Sequence, residues 1–193
     1  VFISPCDDKV FVDDKDRKLY PLIWERAEQY FITKYVKPED CVIEFGGRYG
    51  ISSYCIQNNL KNKNAHLVIE PDETIISALY KNIKNNSMKC KVFNGIISKN
   101  NKCFKKYGYG SYTYECKNPY INSRTISNVE VCGKFNTMVV DCEGCFIDIF
   151  RDFRTYILEN ITTIIIENDR LDHSELFGIL IFCKQSSELL DKH

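Results

Sequence analysis

The sequence lacks both a long apolar run and an excess of one charge. Its 193 residues carry 26 basic and 26 acidic side chains, so the formal net charge is zero. No apolar stretch approaches the roughly 20 residues that span a bilayer, and the N-terminus has no signal-peptide pattern. We therefore expect no membrane span and no nucleic-acid partner bound through a broad basic surface.

Proline, glycine and tryptophan are scarce, with 5, 9 and 1 copies, and the 44% of hydrophobic residues is an ordinary globular value. This composition excludes disordered and collagen-like chains. We expect one domain over 1–193, with an N-terminal helical, substrate-side extension (1–40), a cofactor-binding core (41–170) and a C-terminal helix (171–193). Because the chain begins with Val1 rather than Met, we expect it to be cut from a longer polypeptide with adjoining domains.

Ten cysteines are scattered along the chain, several of them inside apolar, strand-like runs. Such scatter is typical of small buried residues in a reducing compartment, so we expect free thiols and a cytoplasmic location. Cys142 and Cys145 form an isolated C-x-x-C pair, and no second pair completes a zinc site. Structural cysteines are favoured there over a metal or redox site.

Short apolar runs alternate with helical patterns along most of the chain. The predicted strands are 41–45, 66–70, 91–97, 136–140 and 163–166, and the predicted helices are 22–36, 51–60, one beginning at 72, 145–153 and 176–183. This alternation indicates an α/β fold with a mostly parallel central sheet and helices on both faces. The tyrosine- and glycine-rich segment 101–131 interrupts it and predicts a hairpin.

Acidic residues end four of the five predicted strands. They are Glu44, Glu70, Asp141 and Glu167, while Asn94 or Gly95 ends the remaining strand. In an open parallel sheet, ligands bind at the carboxyl ends of the strands, near the point where the strand order reverses. Acidic residues contribute little to packing, so we interpret these side chains as ligand contacts.

The first turn indicates which ligand is bound. Glu44-x-Gly46-x-x-x-Gly50 is a glycine-rich turn, and Glu70 follows at the distance where a carboxylate binds a ribose diol. A dinucleotide-binding pattern would need glycine at Phe45, and the charge of Glu44 would repel a pyrophosphate. A cofactor with an ammonium and a sulfonium is favoured instead, which indicates S-adenosylmethionine.

Four segments resemble, in order and spacing, the FkbM-type group of class I S-adenosylmethionine-dependent methyltransferases. They are Val42-Ile43-Glu44-Phe45-Gly46-Gly47-Arg48-Tyr49-Gly50, Ile69-Glu70-Pro71-Asp72, Val139-Val140-Asp141-Cys142-Glu143-Gly144-Cys145-Phe146 and Ile164-Ile165-Ile166-Glu167. The resemblance covers about 37–168. It implies a Rossmann-like class I methyltransferase fold and an O-methyltransferase acting on a sugar or glycan hydroxyl.

The resemblance also implies which residues contact the cofactor. Glu44 and Gly46 face the methionine part, Glu70 the ribose, and the segment from Asn94 to Ile96 the adenine. The full set is Glu44, Gly46, Gly47, Arg48, Gly50, Glu70, Pro71, Asn94, Gly95, Ile96 and Asp141. Arg48 departs from the group, which usually has Asn at that position.

Asp141, Glu167 and Asn168 end neighbouring strands, so we expect them to converge beside the methyl donor. Two carboxylates and an amide oxygen suit Mg²⁺ or Mn²⁺, which would acidify the attacking hydroxyl. The alternative is that they only form hydrogen bonds. His173 follows the last predicted strand and is either a general base or a solvated loop residue.

Other interpretations stay open. Glu143 either binds substrate or caps a helix, and the tyrosines of 101–131 either form a wall over the acceptor or cover the sheet edge. Asn118-Pro119-Tyr120 lacks the second proline of the motif with which enzymes methylate amino groups of nucleic acids. A non-catalytic binding domain that keeps the methyltransferase fold is a further alternative.

Overall fold

The computed structural model describes residues 2–107, 110–167 and 179–183. Its strands are β1 (Phe11–Val12), β2 (Lys18–Leu19), β3 (Val42–Phe45), β4 (His66–Ile69), β5 (Lys91–Phe93), β6 (Ile96–Ile97), β7 (Lys102–Tyr107), β8 (Gly110–Glu115), β9 (Ser123–Arg124), β10 (Thr137–Val140), β11 (Thr163–Glu167) and β12 (Ile179–Cys183). The helices are α1 (Arg26–Tyr35), α2 (Ile51–Asn59), α3 (Ile76–Asn85), α4 (Phe146–Asn160) and a 3₁₀ helix (Ile126–Val129). None of these helices is long and apolar enough to cross a membrane.

Six strands form the central sheet in the order β12–β11–β10–β3–β4–β5. All neighbours are parallel except β12, which runs antiparallel to β11. The chain builds β3, β4 and β5 outward in one direction and then returns to place β10 and β11 on the other side of β3. The strand order therefore reverses between β3 and β10, which confirms the predicted Rossmann-like α/β topology.

Strands β3, β4, β10 and β11 alternate their side chains between two hydrophobic cores. Val42 and Val68 face helices α1, α2 and α3, whereas Ile43 and Phe45 face helix α4. Because successive residues of a strand point to opposite faces of the sheet, Glu44 lies on the same face as Val42. Burial on both faces explains why these strands are short apolar runs with little polar alternation.

The N-terminal extension differs from its prediction. It contains the short β1–β2 hairpin as well as α1, and α1 begins at Arg26 rather than at residue 22. Gln29 and Ile32 are the buried residues of α1, while Tyr30 is 40% exposed. The Gln29 amide donates to the carbonyls of Pro21 and Trp24, and these hydrogen bonds make its burial tolerable.

The predicted C-terminal helix over 171–193 is wrong for residues 179–183, which form β12 along the edge of β11. These five residues are uniformly apolar, and a run this short has no periodicity that separates a strand from a helix. Residues 179–183 form a strand rather than a helix because their backbone pairs with the open edge of β11. Asn168 and His173 lie outside the described residues, and their predicted roles stay predictions.

The predicted hairpin within 101–131 is confirmed as β7–β8. Its register pairs Phe104 with Thr113 and Lys105 with Tyr112. Directly paired residues share a face, so Tyr112 lies on the face opposite Phe104. Tyr107, Tyr112 and Tyr114 are 42–57% exposed, so these three described tyrosines do not cover the edge of the central sheet.

Six of the cysteines form three disulfides, Cys41–Cys132, Cys103–Cys116 and Cys142–Cys145, while Cys6, Cys55 and Cys90 are buried and free. The prediction of free thiols is therefore wrong for the paired cysteines. The fold brings distant cysteines together, as where Cys103 and Cys116 meet at the open end of the β7–β8 hairpin. Disulfides persist in oxidising compartments, so the cysteines no longer support a cytoplasmic location.

The ends of β3 and β10 meet where Gly46 packs against the backbone of Asp141. A Cβ atom on Gly46, whose φ is +91°, would lie 1.7 Å from the Asp141 carbonyl oxygen. We expect Gly46→Ala to lower the free energy of unfolding by about 3 kcal/mol, because the clash forces the two strand ends apart. Urea unfolding measures this loss.

Gly133→Ala is the matched control. Gly133 also has a positive φ, +105°, but a Cβ atom there would meet nothing within 4 Å. Gly133→Ala should lower the free energy of unfolding by about 1–2 kcal/mol, which is the backbone strain alone. Equal losses for the two variants would contradict close packing between the two strand ends.

Candidate functional site at the reversal of strand order

A cavity of about 300 Å³ opens at the carboxyl ends of β3, β4 and β10, and the β7–β8 hairpin forms another wall. This volume lies in the range of small-molecule sites. Its charged lining residues are Arg48, Glu70, Asp72, Lys102, Lys106, Asp141, Glu143, Asp148 and Arg151. The position is the one at which open α/β sheets bind ligands, beside the reversal of strand order.

Most of the predicted cofactor residues line this cavity. They are Gly46, Arg48, Glu70, Pro71, Gly95, Ile96 and Asp141. Gly47 and Gly50 do not line it, and they pack instead against α3 and β4: Cβ atoms built on them would lie 2.1 Å from Val68 and 3.1 Å from Leu79, respectively. These two glycines therefore allow close packing of the turn and its helix rather than contact with a ligand.

Glu44 is buried away from the cavity. It is 1% exposed, and its Oε2 accepts hydrogen bonds from Ser53 Oγ at 2.6 Å and is 3.0 Å from His66 Nε2. The pleat of β3 places Glu44 on the α2 face, so the expectation that it faces the methionine part disagrees with this structure. Its Oε1 is buried with no hydrogen-bond partner.

Glu70 joins two turns at the floor of the cavity. Its Oε2 accepts from the Arg48 backbone N–H and its Oε1 from that of Asp72, both at 2.8 Å. Burial raises the pKa of Glu70 to about 7, although both backbone N–H groups favour the charged form. A carboxylate has about four acceptor positions, so two remain for a ligand. Asn94 does not line the cavity, and its side-chain amide donates to the Glu70 carbonyl at 2.8 Å.

Asp141 and Glu167 converge as predicted. The parallel register pairs Val140 with Ile166, so the two acids follow neighbouring positions at the ends of β10 and β11. Burial raises the pKa of Asp141 well above its usual range, and the hydrogen bond that Asp141 donates to the Glu167 carboxylate and the charge of Glu25 raise it further. A raised pKa makes the Asp141 carboxylate a stronger base than an ordinary carboxylate, so Asp141 can accept a proton once its own is lost.

Glu25 does not line the cavity, but its charge acts on Asp141, and the sequence did not point to it. It precedes α1 with a positive φ of 49°, and Ser52 Oγ donates to its Oε2 at 2.8 Å. Burial raises the pKa of Glu25 to about 7, and the charges of Glu28 and Glu44 add to that effect. The sequence carries no signal for this placement, because Glu25 lies outside the four motifs and a glutamate before a helix is common.

Two ion pairs fasten the β7–β8 hairpin across the cavity. Lys106 Nζ is 2.7 Å from Asp72 Oδ2, after β4, and Lys102 Nζ is 3.0 Å from Asp148 Oδ2, in the first turn of α4. Lys102 is buried, so its ion pair is shielded from solvent. The alternation of Lys102, Phe104 and Lys106 along β7 could have predicted these ion pairs from the sequence. Every second residue of a strand lies on the same face, and this face lines the cavity.

The described residues do not complete the predicted metal site. Among residues 2–107, 110–167 and 179–183, no group of three or more His, Cys, Asp or Glu side chains is placed to hold a metal ion. Asp141 and Glu167 supply two of the three predicted ligands. The third, Asn168, lies outside the described chain, so the metal stays a prediction.

The raised pKa of Glu70 leads to a prediction about stability. Between pH 4.5 and about 7 the folded protein binds the Glu70 proton more tightly than the unfolded chain does, so the free energy of unfolding falls as the pH rises. The fall attributable to Glu70 is up to about 3 kcal/mol. In Glu70→Gln we expect a clearly shallower fall across this window, measured by urea unfolding at several pH values.

The control is Glu73→Gln, which removes the same charge from an exposed position of the same turn. It should keep the wild-type dependence on pH. An unchanged dependence in Glu70→Gln would show that the Glu70 carboxyl is not desolvated in the folded protein.

Comparisons with known proteins place the chain beside methyltransferase structures. No protein-family model and no curated protein matches the sequence. A methyltransferase FkbM from Methylobacillus flagellatus aligns at 16% identity over 68% of this chain and 33% of its own, with a TM-score of 0.49. An O-methyltransferase from Bacillus cereus, in complex with SAH, aligns at 14% identity over 76% and 57%, also with a TM-score of 0.49.

A precorrin-6y C5,15-methyltransferase from Geobacter metallireducens aligns at 10% identity over 77% of this chain and 64% of its own, with a TM-score of 0.48. The chain therefore spans between a third and two thirds of the length of these three structures. At such low identity and scores the likeness assigns no function. The function is inferred from the site itself.

Proposed function

We propose that the protein is an S-adenosylmethionine-dependent O-methyltransferase that acts on a hydroxyl of a sugar or glycan. One observation carries this proposal. At the reversal of strand order, a single cavity contains a carboxylate with free acceptor positions, Glu70, and one member of a hydrogen-bonded carboxyl pair, Asp141. The first suits a ribose diol and the second suits an acceptor hydroxyl.

The donor would lie across the ends of β3 and β4. Its ribose hydroxyls would donate to Glu70, and Pro71, Gly95 and Ile96 would form the apolar surroundings of the adenine. Around the glycine turn, the acidic groups Glu25 and Asp141 favour the ammonium and sulfonium charges of the donor. Arg48, which lines the cavity, is positioned on the same turn to pair with the donor's carboxylate.

The chemistry requires alignment and a proton acceptor. A donor held at Glu70 would supply an electrophilic methyl group for in-line displacement by the acceptor oxygen. The rigid contact between Gly46 and Asp141 holds the carboxyl pair beside the donor site. Asp141, hydrogen-bonded to Glu167, would orient the acceptor hydroxyl and, after losing its own proton, would take the hydroxyl proton as the oxygen attacks.

The choice of a sugar acceptor is supported by the resemblance and by the surroundings of the cavity. Tyr112 borders the cavity, while its ring lies 5.9 Å from those of Tyr107 and Tyr114 on the exposed hairpin face opposite Phe104, where a glycan extending out of the cavity would contact them. Aromatic rings pack on the apolar faces of sugars, and carboxylates accept from their hydroxyls. A divalent metal on Asp141, Glu167 and Asn168 would add Lewis-acid activation to the same position.

Calorimetric titration with S-adenosylmethionine tests the donor site. We expect Glu70→Gln to weaken binding by about 10- to 100-fold, which corresponds to losing hydrogen bonds to a charged group. Glu73→Gln, on the same turn but exposed, should bind like the wild type. Equal affinity in all three proteins would exclude Glu70 as a ribose contact.

Transfer of a tritiated methyl group to monosaccharides and glycans tests the chemistry. Asp141→Asn and Glu167→Gln should each lower the turnover rate by about 100-fold or more, while the affinity for the donor changes only a few-fold. Normal turnover in both variants would exclude the carboxyl pair as the proton acceptor. A chelator distinguishes metal-assisted transfer from transfer by the carboxyl pair alone. Activity that is lost with chelator and restored by Mn²⁺ indicates a metal, whereas full activity in chelator indicates the carboxyls alone.

A further inference from the structure

We propose that Cys142 and Cys145 form a redox-exchangeable disulfide, reduced by a dithiol, whose state controls the shape of the cavity. The pair closes a four-residue turn between the end of β10 at Val140 and the start of α4 at Phe146. Both cysteines line the cavity and are partly exposed. Their exchange is independent of the proposed function, whereas its effect on donor binding rests on that function.

Access separates this disulfide from the other two. In each of the others one sulfur belongs to a buried residue: Cys41 is 8% exposed and Cys103 is 3% exposed. Their partners Cys132 and Cys116 are exposed and half-buried, but attack on either would expel a thiolate at a buried position, where it is destabilised and leaves slowly. The Cys142–Cys145 pair faces a cavity that opens to solvent, and a small dithiol can reach it there.

The position of Cys145 also favours opening of the bond. Cys145 is the residue that precedes the first turn of α4, where backbone N–H groups have no partner within the helix. A thiolate released at such a position is stabilised by these groups, and a better-stabilised thiolate leaves faster. Cys145 is therefore the expected leaving sulfur when a reductant attacks Cys142.

The exchange balances as an ordinary two-electron reaction. One thiolate of a reduced dithiol attacks Cys142 Sγ, the bond to Cys145 Sγ breaks, and a mixed disulfide forms. The second thiol of the reductant then displaces Cys142 and closes the reductant's own disulfide. The protein gains two electrons and two protons, and the dithiol loses them.

The disulfide is coupled to the cavity through the backbone on both sides of it. Before it, the Asp141 carbonyl packs on Gly46. Within it, Glu143 and Gly144 both have positive φ, 55° and 87°. After it, Asp148 holds Lys102 of the hairpin. When the disulfide opens, the turn between β10 and α4 is no longer restrained. The glycine turn then loses its rigid contact with Asp141, and the hairpin loses its rigid contact with Asp148.

The first experiment follows the cysteines themselves in the purified full chain. The oxidised protein is treated with dithiothreitol, quenched by alkylation at successive times, and analysed by peptide mass spectrometry. We expect Cys142 and Cys145 to become alkylated at earlier times than the other two pairs. Opening of all three pairs together, or of Cys142–Cys145 last, would overturn the proposal whether or not the protein binds a methyl donor.

The second experiment titrates S-adenosylmethionine into the oxidised protein and into protein in which only this pair is reduced. Loss of the preformed turn should weaken binding by about tenfold. C142S/C145S should bind the donor like the reduced protein, with or without dithiothreitol. C41S/C132S, which removes a disulfide far from the cavity, should still bind the donor more weakly after reduction. A response that persists in C142S/C145S would overturn the proposal, whereas an oxidised protein that does not bind the donor at all would overturn the proposed function.

Discussion

The close approach of the β3 and β10 ends is the constraint on which the rest of the structure depends. Gly46 lies against the Asp141 carbonyl with no room for a side chain, and this contact occurs where the strand order reverses. It aligns the glycine turn after β3 with the acidic turn after β10. Every element of the proposed site, from Glu70 through the carboxyl pair to the Cys142–Cys145 turn, is positioned relative to this contact.

A second feature is the accumulation of partly buried acids around one turn. Glu25, Glu70 and Asp141 all have raised pKa values, and burial is the main cause in each case. Desolvated carboxyls destabilise a fold unless a ligand or a proton compensates for them. A cationic donor that binds among them would relieve this cost, so the electrostatics and the proposed chemistry agree.

The sequence predicted the central strands well, but it predicted poorly the direction in which the side chain of Glu44 points. Apolar runs such as Val42–Phe45 identify strands because burial on both faces demands them. The convergence of Asp141 and Glu167 followed from parallel register alone. The alternation of β3 already implied that Glu44 shares the face of Val42, yet the motif suggested a ligand contact. Strand β12 and the disulfides depend on tertiary pairing, which local patterns do not contain.

The most direct test of the central claim is a crystal structure of the chain with S-adenosylhomocysteine, divalent metal and candidate monosaccharides. The account predicts both ribose hydroxyls within hydrogen-bonding distance of the Glu70 carboxylate and the sulfur beside Gly46 and Asp141. A ligand bound elsewhere on the protein, or an empty cavity at saturating ligand concentration, would contradict it.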